Sequence, residues 1–230
     1  MEKRDQTIQL LGKKSAMKQD VYRKTLETFK MLEEVLKEVS VDLQQELSSL
    51  DKRISINFTI KSEFEIELKV AGDILVFHMH TNVFEFDRSH PMFKTAYIKK
   101  DEFNSYCGII YAYNFLADSF KYNRLGDSGY LIGRLFVNRE QNYFMEAKPP
   151  IGYKYNTFST EKMDRSVLKE IIHELIIYVI SFDLFTPPFE IVKEITVNEI
   201  VDRINSNNLK TGKRLGYRFS AEKEDDDINL

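Results

Sequence analysis

The spacing of apolar residues divides the chain into a helical part, a strand-rich part and a second helical part. In the first part, apolar residues recur every seven positions, with two more residues three positions further on: Tyr22, Phe29, Leu36, Leu43, Leu50, Leu32 and Val39. A seven-residue repeat keeps one apolar stripe in line along a helix. The pattern predicts a long amphipathic helix over residues 17–50, with an interruption at Ser40, which could cap a second helix. Residues 1–16 are polar and are expected to be frayed. This chain's own sheet or a partner chain must cover the stripe.

The period changes to two after Arg53, where apolar and polar residues alternate as they do in half-buried strands. The segments that show this pattern are 53–60, 64–70, 73–81, 95–99, 106–122, 130–138 and 142–147. Short polar turns separate most of them, and strands joined by short turns pair antiparallel. We therefore predict an antiparallel sheet over residues 53–148, which Pro149 and Pro150 end.

Helical periodicity returns after residue 159. Val167, Ile171, Leu175 and Val179 form an apolar stripe in a helix that begins near Ser159 or Thr160. The sequence Thr186-Pro187-Pro188 ends that helix, because proline cannot continue it. Thr196 and Glu199 have the spacing of a capping box, which predicts a short helix to about residue 205. The C-terminal helices thus occupy residues 159–206.

These elements predict an α+β fold. It consists of an antiparallel six- or seven-stranded meander sheet, with the long N-terminal helix and a C-terminal helix packed on one face. We expect a single domain over residues 1–220, because no low-complexity linker divides the chain. Residues 221–230 are mostly acidic and are expected to form a disordered tail.

Composition narrows the classes of function. The chain has 43% hydrophobic and 30% charged residues and a formal net charge of -3, so a global positive field that would attract nucleic acid is not expected. The most apolar segment, residues 171–185, is too short to cross a bilayer and contains ionisable side chains. We expect a cytoplasmic protein without a cofactor, in which the single cysteine, Cys107, is a buried and inert thiol.

Three histidines are the weak candidates for a metal site. His78 and His80 lie on one face of a predicted strand, and His90 follows in the next loop. Histidine nitrogens are common zinc ligands. This spacing matches no recognised metal-binding motif, however, and we expect no bound metal.

The sequence Glu146-Ala147-Lys148 follows an apolar strand. It resembles the metal-binding strand of the PD-(D/E)xK nucleases. The resemblance implies that two carboxylates hold magnesium and that Lys148 supports the attacking water. A turn at residues 139–141 would place Arg134, a base, opposite Glu146, so Asp118 is the only plausible second carboxylate.

The predicted register also places a charged cluster on the sheet. A loop at residues 123–127 would put Asp118 diagonal to Arg134, with Glu146 on the other side of Arg134 and with Asn114 and Lys148 nearby. One interpretation is a ladder of cross-strand ion pairs on a solvated face. The other is a ligand or partner site, since a central arginine suits carboxylate or phosphate recognition.

Our first hypothesis is a non-enzymatic binding or scaffold module that presents this charged sheet face to a partner or to a small anionic ligand. It self-associates as a homodimer, or binds a protein partner, through the 17–50 helix. The alternative is a metal-dependent nuclease that uses Asp118, Glu146 and Lys148. A third hypothesis is a small-molecule sensor with a Phe- and Tyr-lined pocket between helices and sheet.

Overall fold

The computed structural model describes residues 2–158 and 161–206. The N-terminal helix begins well before the predicted residue 17. It consists of α1 (Lys3–Leu10), a π-helical turn (Leu11–Ser15) and α2 (Ala16–Leu50). The predicted break at Ser40 is absent from this helix. The hydroxyl of Ser40 donates instead to the carbonyl of Lys37 at 2.8 Å, a bond that a helix accommodates without ending.

Within the described residues, seven strands form one antiparallel sheet: β1 (Ile56–Ser62), β2 (Glu65–Val70), β3 (Asp73–Met79), β4 (Phe84–Glu85), β5 (Tyr106–Leu116), β6 (Tyr130–Asn138) and β7 (Tyr143–Ala147). Six of them follow the meander order β1-β2-β3-β5-β6-β7, and β4 pairs with the first residues of β5 beyond the end of β3. The predicted α+β class and the antiparallel meander are confirmed.

The remaining helices that the structure describes are α3 (Ala96–Lys100), α4 (Ala117–Lys121), α5 (Ile151–Lys154), α6 (Arg165–Ile180), α7 (Phe189–Val192) and α8 (Val197–Ser206). The predicted edge strand at residues 95–99 is wrong. The hydroxyl of Thr95 accepts from the amide of Ile98 at 3.4 Å and begins α3 there. The short strand that pairs with the start of β5 is β4.

The apolar stripe of α2 is buried against the chain's own sheet and α6 as far as Val39, whereas Leu50 at its end is exposed. Phe29, Leu36 and Val39 belong to one core with residues of the sheet, such as Leu75 and Ile110. The buried face of α6 completes this core with Leu168, Ile171, Ile172, Leu175, Ile176 and Val179. The prediction that both helices pack on one face of the sheet is thus confirmed.

A smaller apolar cluster lies on the opposite face, which we call the outer face. The segment between β4 and β5 covers part of this face and packs Met92 and Ile98 against Cys107, Phe136 and Phe144. Cys107 is fully buried, as predicted, and burial raises the pKa of its thiol. The thiolate is therefore suppressed at neutral pH.

The C-terminal helices begin at identifiable caps. The predicted start near Ser159 or Thr160 lies outside the described residues, and α6 begins after Asp164, whose carboxylate accepts from the amide of Val167 at 2.9 Å. The capping box is confirmed, because Thr196 and Glu199 hydrogen-bond reciprocally before α8. Residues 221–230 lie outside the described residues. No helix in the described ranges combines the length and apolar character needed to cross a membrane.

Candidate binding face of the sheet

The register of the last two strands brings Arg134 and Glu146 together. Arg134 lies opposite Glu146 and Phe136 lies opposite Phe144, as the short turn at residues 139–141 predicts. Both pairs lie on the outer face, because the intervening Leu135 and Met145 belong to the helix-side core. The part of the outer face that the β4–β5 segment leaves uncovered is the open face: His78, Tyr111, Tyr113, Leu131, Arg134 and Glu146.

Arg134 is held by two contacts. Its guanidinium pairs with the carboxylate of Glu146, and its central carbon lies 5.3 Å from the ring centroid of Phe136. The two charged side chains are 39% and 36% exposed, so water screens the pair and its contribution to stability is at most about 1 kcal/mol. The pair neutralises the charge of the guanidinium locally.

A row of aromatic rings lies beside Arg134. The rings of Tyr111 and Tyr113 are stacked with centroids 5.8 Å apart, and the ring of His78 lies 6.5 Å from that of Tyr111. Burial raises the pKa of Tyr113 and the neighbouring Tyr111 raises it further, whereas Arg134 lowers it. Because Tyr113 lies opposite Leu131 on β6, the row continues into an exposed leucine.

The three histidines do not meet. His78 lies 3.9 Å from the carboxylate of Glu65, whereas Nδ1 of His80 accepts from the amide of Asn82 at 3.0 Å. His90 lies against β7, with its Nε2 3.7 Å from the Glu146 carboxylate. In the part of the chain that the structure describes, no three His, Cys, Asp or Glu side chains are grouped so that they could hold a metal ion.

Asp118 and Asn114 are not neighbours of Arg134, so the predicted register of β5 and β6 is wrong. Residues 117–129 connect the two strands through α4, in place of the five-residue loop that the sequence suggested, and Tyr111 takes the position opposite Arg134. About 17 Å of strand separates Tyr111 from the end of β5, after which Asp118 lies in α4.

Asn114 lies on the helix side of the sheet. A register shift after Ala112 pairs Asn114 with Tyr130, and across β3 it pairs with Leu75 of the helix-side core. Its side chain is fully buried and donates to the carboxylate of Asp73 at 3.2 Å. Asn114 is therefore a buried structural residue in this fold and does not contact the open face.

The nuclease resemblance lacks its second carboxylate. Glu146 and Lys148 follow one another on and after β7, but the facing position on β6 holds Arg134, which pairs with Glu146. Lys148 is exposed, and its amide donates to the carbonyl of Ile132 at 3.1 Å. Within the described residues this geometry offers no pair of carboxylates for magnesium, which the nuclease interpretation requires.

Comparison with known proteins does not add a family. No family model, no curated protein and no solved structure matches this chain.

Sequence reasoning missed Tyr111, Tyr113 and Leu131 as members of the open face. The signal that could have found them is the alternation Tyr111-Ala112-Tyr113, which puts two aromatic rings on one face of a strand.

Proposed function

We propose that this protein is a non-enzymatic binding module that holds a protein partner on the open face of its sheet. The proposal rests on the types of residue that form the open face. Tyr111, Tyr113 and Arg134 are half-buried there, and the adjacent Leu131 is 39% exposed. Tyrosine and arginine are the residue types that, with tryptophan, dominate the energetics of protein interfaces.

The shape and the charge of the open face favour a protein over other ligands. A flat sheet surface offers contact area to a protein but does not enclose a small molecule. A small anion would have to compete with Glu146 for Arg134. The carboxylates of Glu65, Glu67 and Glu146 are balanced by the bases Lys61, Lys69 and Arg134, so no net positive charge attracts the phosphates of a nucleic acid.

The 17–50 helix is a less suitable docking surface. Its heptad stripe suggested a homodimer or a partner helix, but the chain's own core buries that stripe between Met17 and Ser40. We therefore assign the partner to the sheet face. The cytoplasmic location expected from the sequence stays a prediction.

Substitution on each face of the sheet tests the proposal. Leu131→Glu adds a charge within the open face without removing a polar contact, and Ile60→Glu adds one at an exposed position on the helix side of β1. Wild type and both variants are used to capture proteins from the source cells. A protein retained by the wild type is identified by mass spectrometry, purified and titrated against all three by calorimetry.

We expect Leu131→Glu to weaken Kd about tenfold or more, because it buries a charge in the interface, and Ile60→Glu to leave Kd unchanged. Equal affinity of all three proteins for the purified partner contradicts the proposal. Titration with inorganic phosphate and citrate is the second arm. Binding of either anion that Arg134→Gln abolishes, without a protein partner, assigns the face to a small anionic ligand instead.

A further inference from the structure

The segment after α6 exposes many apolar side chains. Residues 183–201, which we call the apolar arm, contain no buried residue. The large apolar residues that are at least 40% exposed there are Leu184, Phe185, Phe189, Ile191, Val192, Ile195, Val197, Ile200 and Val201. So many exposed apolar side chains in one segment mark an interaction site.

The charge of the apolar arm restricts what can cover it. The arm carries the four carboxylates of Asp183, Glu190, Glu194 and Glu199 and one base, Lys193, which gives a net charge of -3. A second arm and an anionic membrane are both repelled by this charge. The occupant must therefore combine apolar side chains with positive charge.

The N-terminal end of the long helix has both properties. Residues 3–15, the basic segment, carry four basic residues and one acid, a net charge of +3. None of these residues is buried, and the side chains of Ile8, Leu10 and Leu11 are more than half exposed. The basic segment is thus an exposed helix whose positive charge and apolar side chains complement those of the arm.

The arm cannot lie along the basic segment of its own chain. Arg165 pairs with Glu34 and Lys169 pairs with Glu38, so α6 runs in the same direction as α2. The arm follows the end of α6, about 22 Å beyond Arg165, whereas the near end of the basic segment, Ser15, lies about 28 Å from Glu34 in the opposite direction. Residues 183–201 span at most about 47 Å with their helices formed, so the arm at full extension meets only the near end of the basic segment and cannot lie along it.

We propose that the apolar arm of one molecule docks on the basic segment of a second copy. The contact joins two different surfaces, so each molecule in a row keeps one free arm and one free basic segment. Such a heterologous contact extends into open chains or closes into rings. Self-association then uses the two ends of the molecule and leaves the open face of the sheet available.

Two variants with one blocked end each test the proposal. The first is Lys3→Glu with Arg4→Glu and Lys13→Glu, which reverses the basic segment to a net charge of -3. The second is Phe189→Ser with Ile191→Ser and Val197→Ser, which removes exposed apolar contacts from the arm. The matched control is Leu125→Ser, an 87% exposed leucine in the loop after α4. Full-length proteins are compared by sedimentation velocity over a concentration series.

We expect the wild type and Leu125→Ser to form species larger than a dimer as concentration rises, and this association to weaken at high salt. Each blocked variant alone should lose at least about tenfold in association affinity. A mixture of the two blocked variants has one intact arm and one intact basic segment, and it should stop at a 1:1 dimer. Reversing the arm with Asp183→Lys, Glu190→Lys and Glu194→Lys should restore association to the reversed basic segment.

A wild type that stays monomeric throughout the series contradicts the proposal. Association that survives reversal of the basic segment but is lost in the serine variant also contradicts it, because the arm then docks elsewhere. Flotation with phosphatidylcholine vesicles that requires Phe189, Ile191 and Val197, without self-association, assigns the arm to a membrane surface and overturns the proposal. Leu131→Glu should leave association unchanged, so this test is independent of the proposed function.

Discussion

At the scale of single residues, the packing of α2 on the sheet depends on the absence of one side chain. A Cβ atom built on Gly108 would lie 2.1 Å from the hydroxyl oxygen of Thr25 and 2.7 Å from its two side-chain carbons. Thr25 is fully buried, and its hydroxyl donates to the carbonyl of Val21 at 2.8 Å. Glycine at position 108 therefore permits the close approach of helix and strand.

We predict that Gly108→Ala lowers the free energy of unfolding by about 1–3 kcal/mol, because the added methyl group overpacks this contact. Urea denaturation measures the change. Adding Thr25→Ala should restore part of the loss, since it removes two of the three clashing atoms.

The control for this prediction is Gly12→Ala in the exposed π-helical turn, where no atom lies within 4 Å of the added Cβ. Gly12→Ala should not destabilise the protein, because alanine favours helix over glycine. A Gly108→Ala protein as stable as the wild type would mean that α2 does not pack this closely on β5.

At the scale of elements, side-chain caps decide where helices begin. Hydrophobic periodicity located α6 correctly, but its N-terminus is set by Asp164, which accepts from the amide of Val167. This hydrogen bond lowers the pKa of Asp164, and a further one from Ser166 adds to the effect. Similarly, the cap at Thr95 turns a segment with strand-like composition into α3. Local hydrogen bonds outweigh weak propensities at such positions.

We predict that Asp164→Ala lowers the free energy of unfolding by about 1 kcal/mol at neutral pH. Because the pKa of Asp164 is lower in the folded protein than in the unfolded chain, its charged form stabilises the fold above the ordinary carboxyl pKa. This contribution is lost as the pH falls through the folded pKa. Denaturation of both proteins at neutral and acidic pH should therefore show a smaller difference at acidic pH.

Asp164→Asn is the matched control, because asparagine caps a helix about as well as aspartate but does not titrate. It should keep most of the stability at neutral pH. If Asp164→Ala and wild type have the same stability at neutral pH, the cap does not contribute in solution.

At the scale of the whole molecule, the heptad stripe is part of the core rather than of a coiled coil. The same spacing serves both purposes, since a stripe of apolar residues packs equally well on a sheet or on another helix. Here α2 is covered by the sheet on one side and by α6 beside it, and Leu36 is fully buried.

We predict that Leu36→Ala lowers the free energy of unfolding by about 2–5 kcal/mol, because it leaves a cavity in this core. The loss should be the same over a hundredfold range of protein concentration, whereas the loss at a dimer interface would depend on concentration. Thermal unfolding monitored by circular dichroism measures both.

Val41→Ala is the control on the same helix, at a position that is 51% exposed. It should change stability by less than about 0.5 kcal/mol. A difference in midpoint between wild type and Leu36→Ala that changes steeply with concentration would show that the stripe is an intermolecular contact.

The candidate site was predictable only where the connecting turn is short. The three-residue turn after β6 fixes the register, so the pairing of Arg134 with Glu146 follows from the sequence. The connection from β5 to β6 contains α4, and a register shift follows Ala112. A shift of one residue moves a side chain to the other face of a sheet, which explains the position of Asn114, whereas Asp118 lies in α4 and not on a strand.

The sequence by itself determined the fold class, the order of the six meander strands and the burial of Cys107. These depend on the period of apolar residues and on short-range turns, which act over a few residues. Only the tertiary structure decided that α2 is covered within its own chain, that Tyr111 and Tyr113 lie open beside Arg134, and that residues 183–201 expose their apolar side chains. Whether a helix or sheet face is buried depends on which other segments pack against it, and these segments are distant in the sequence.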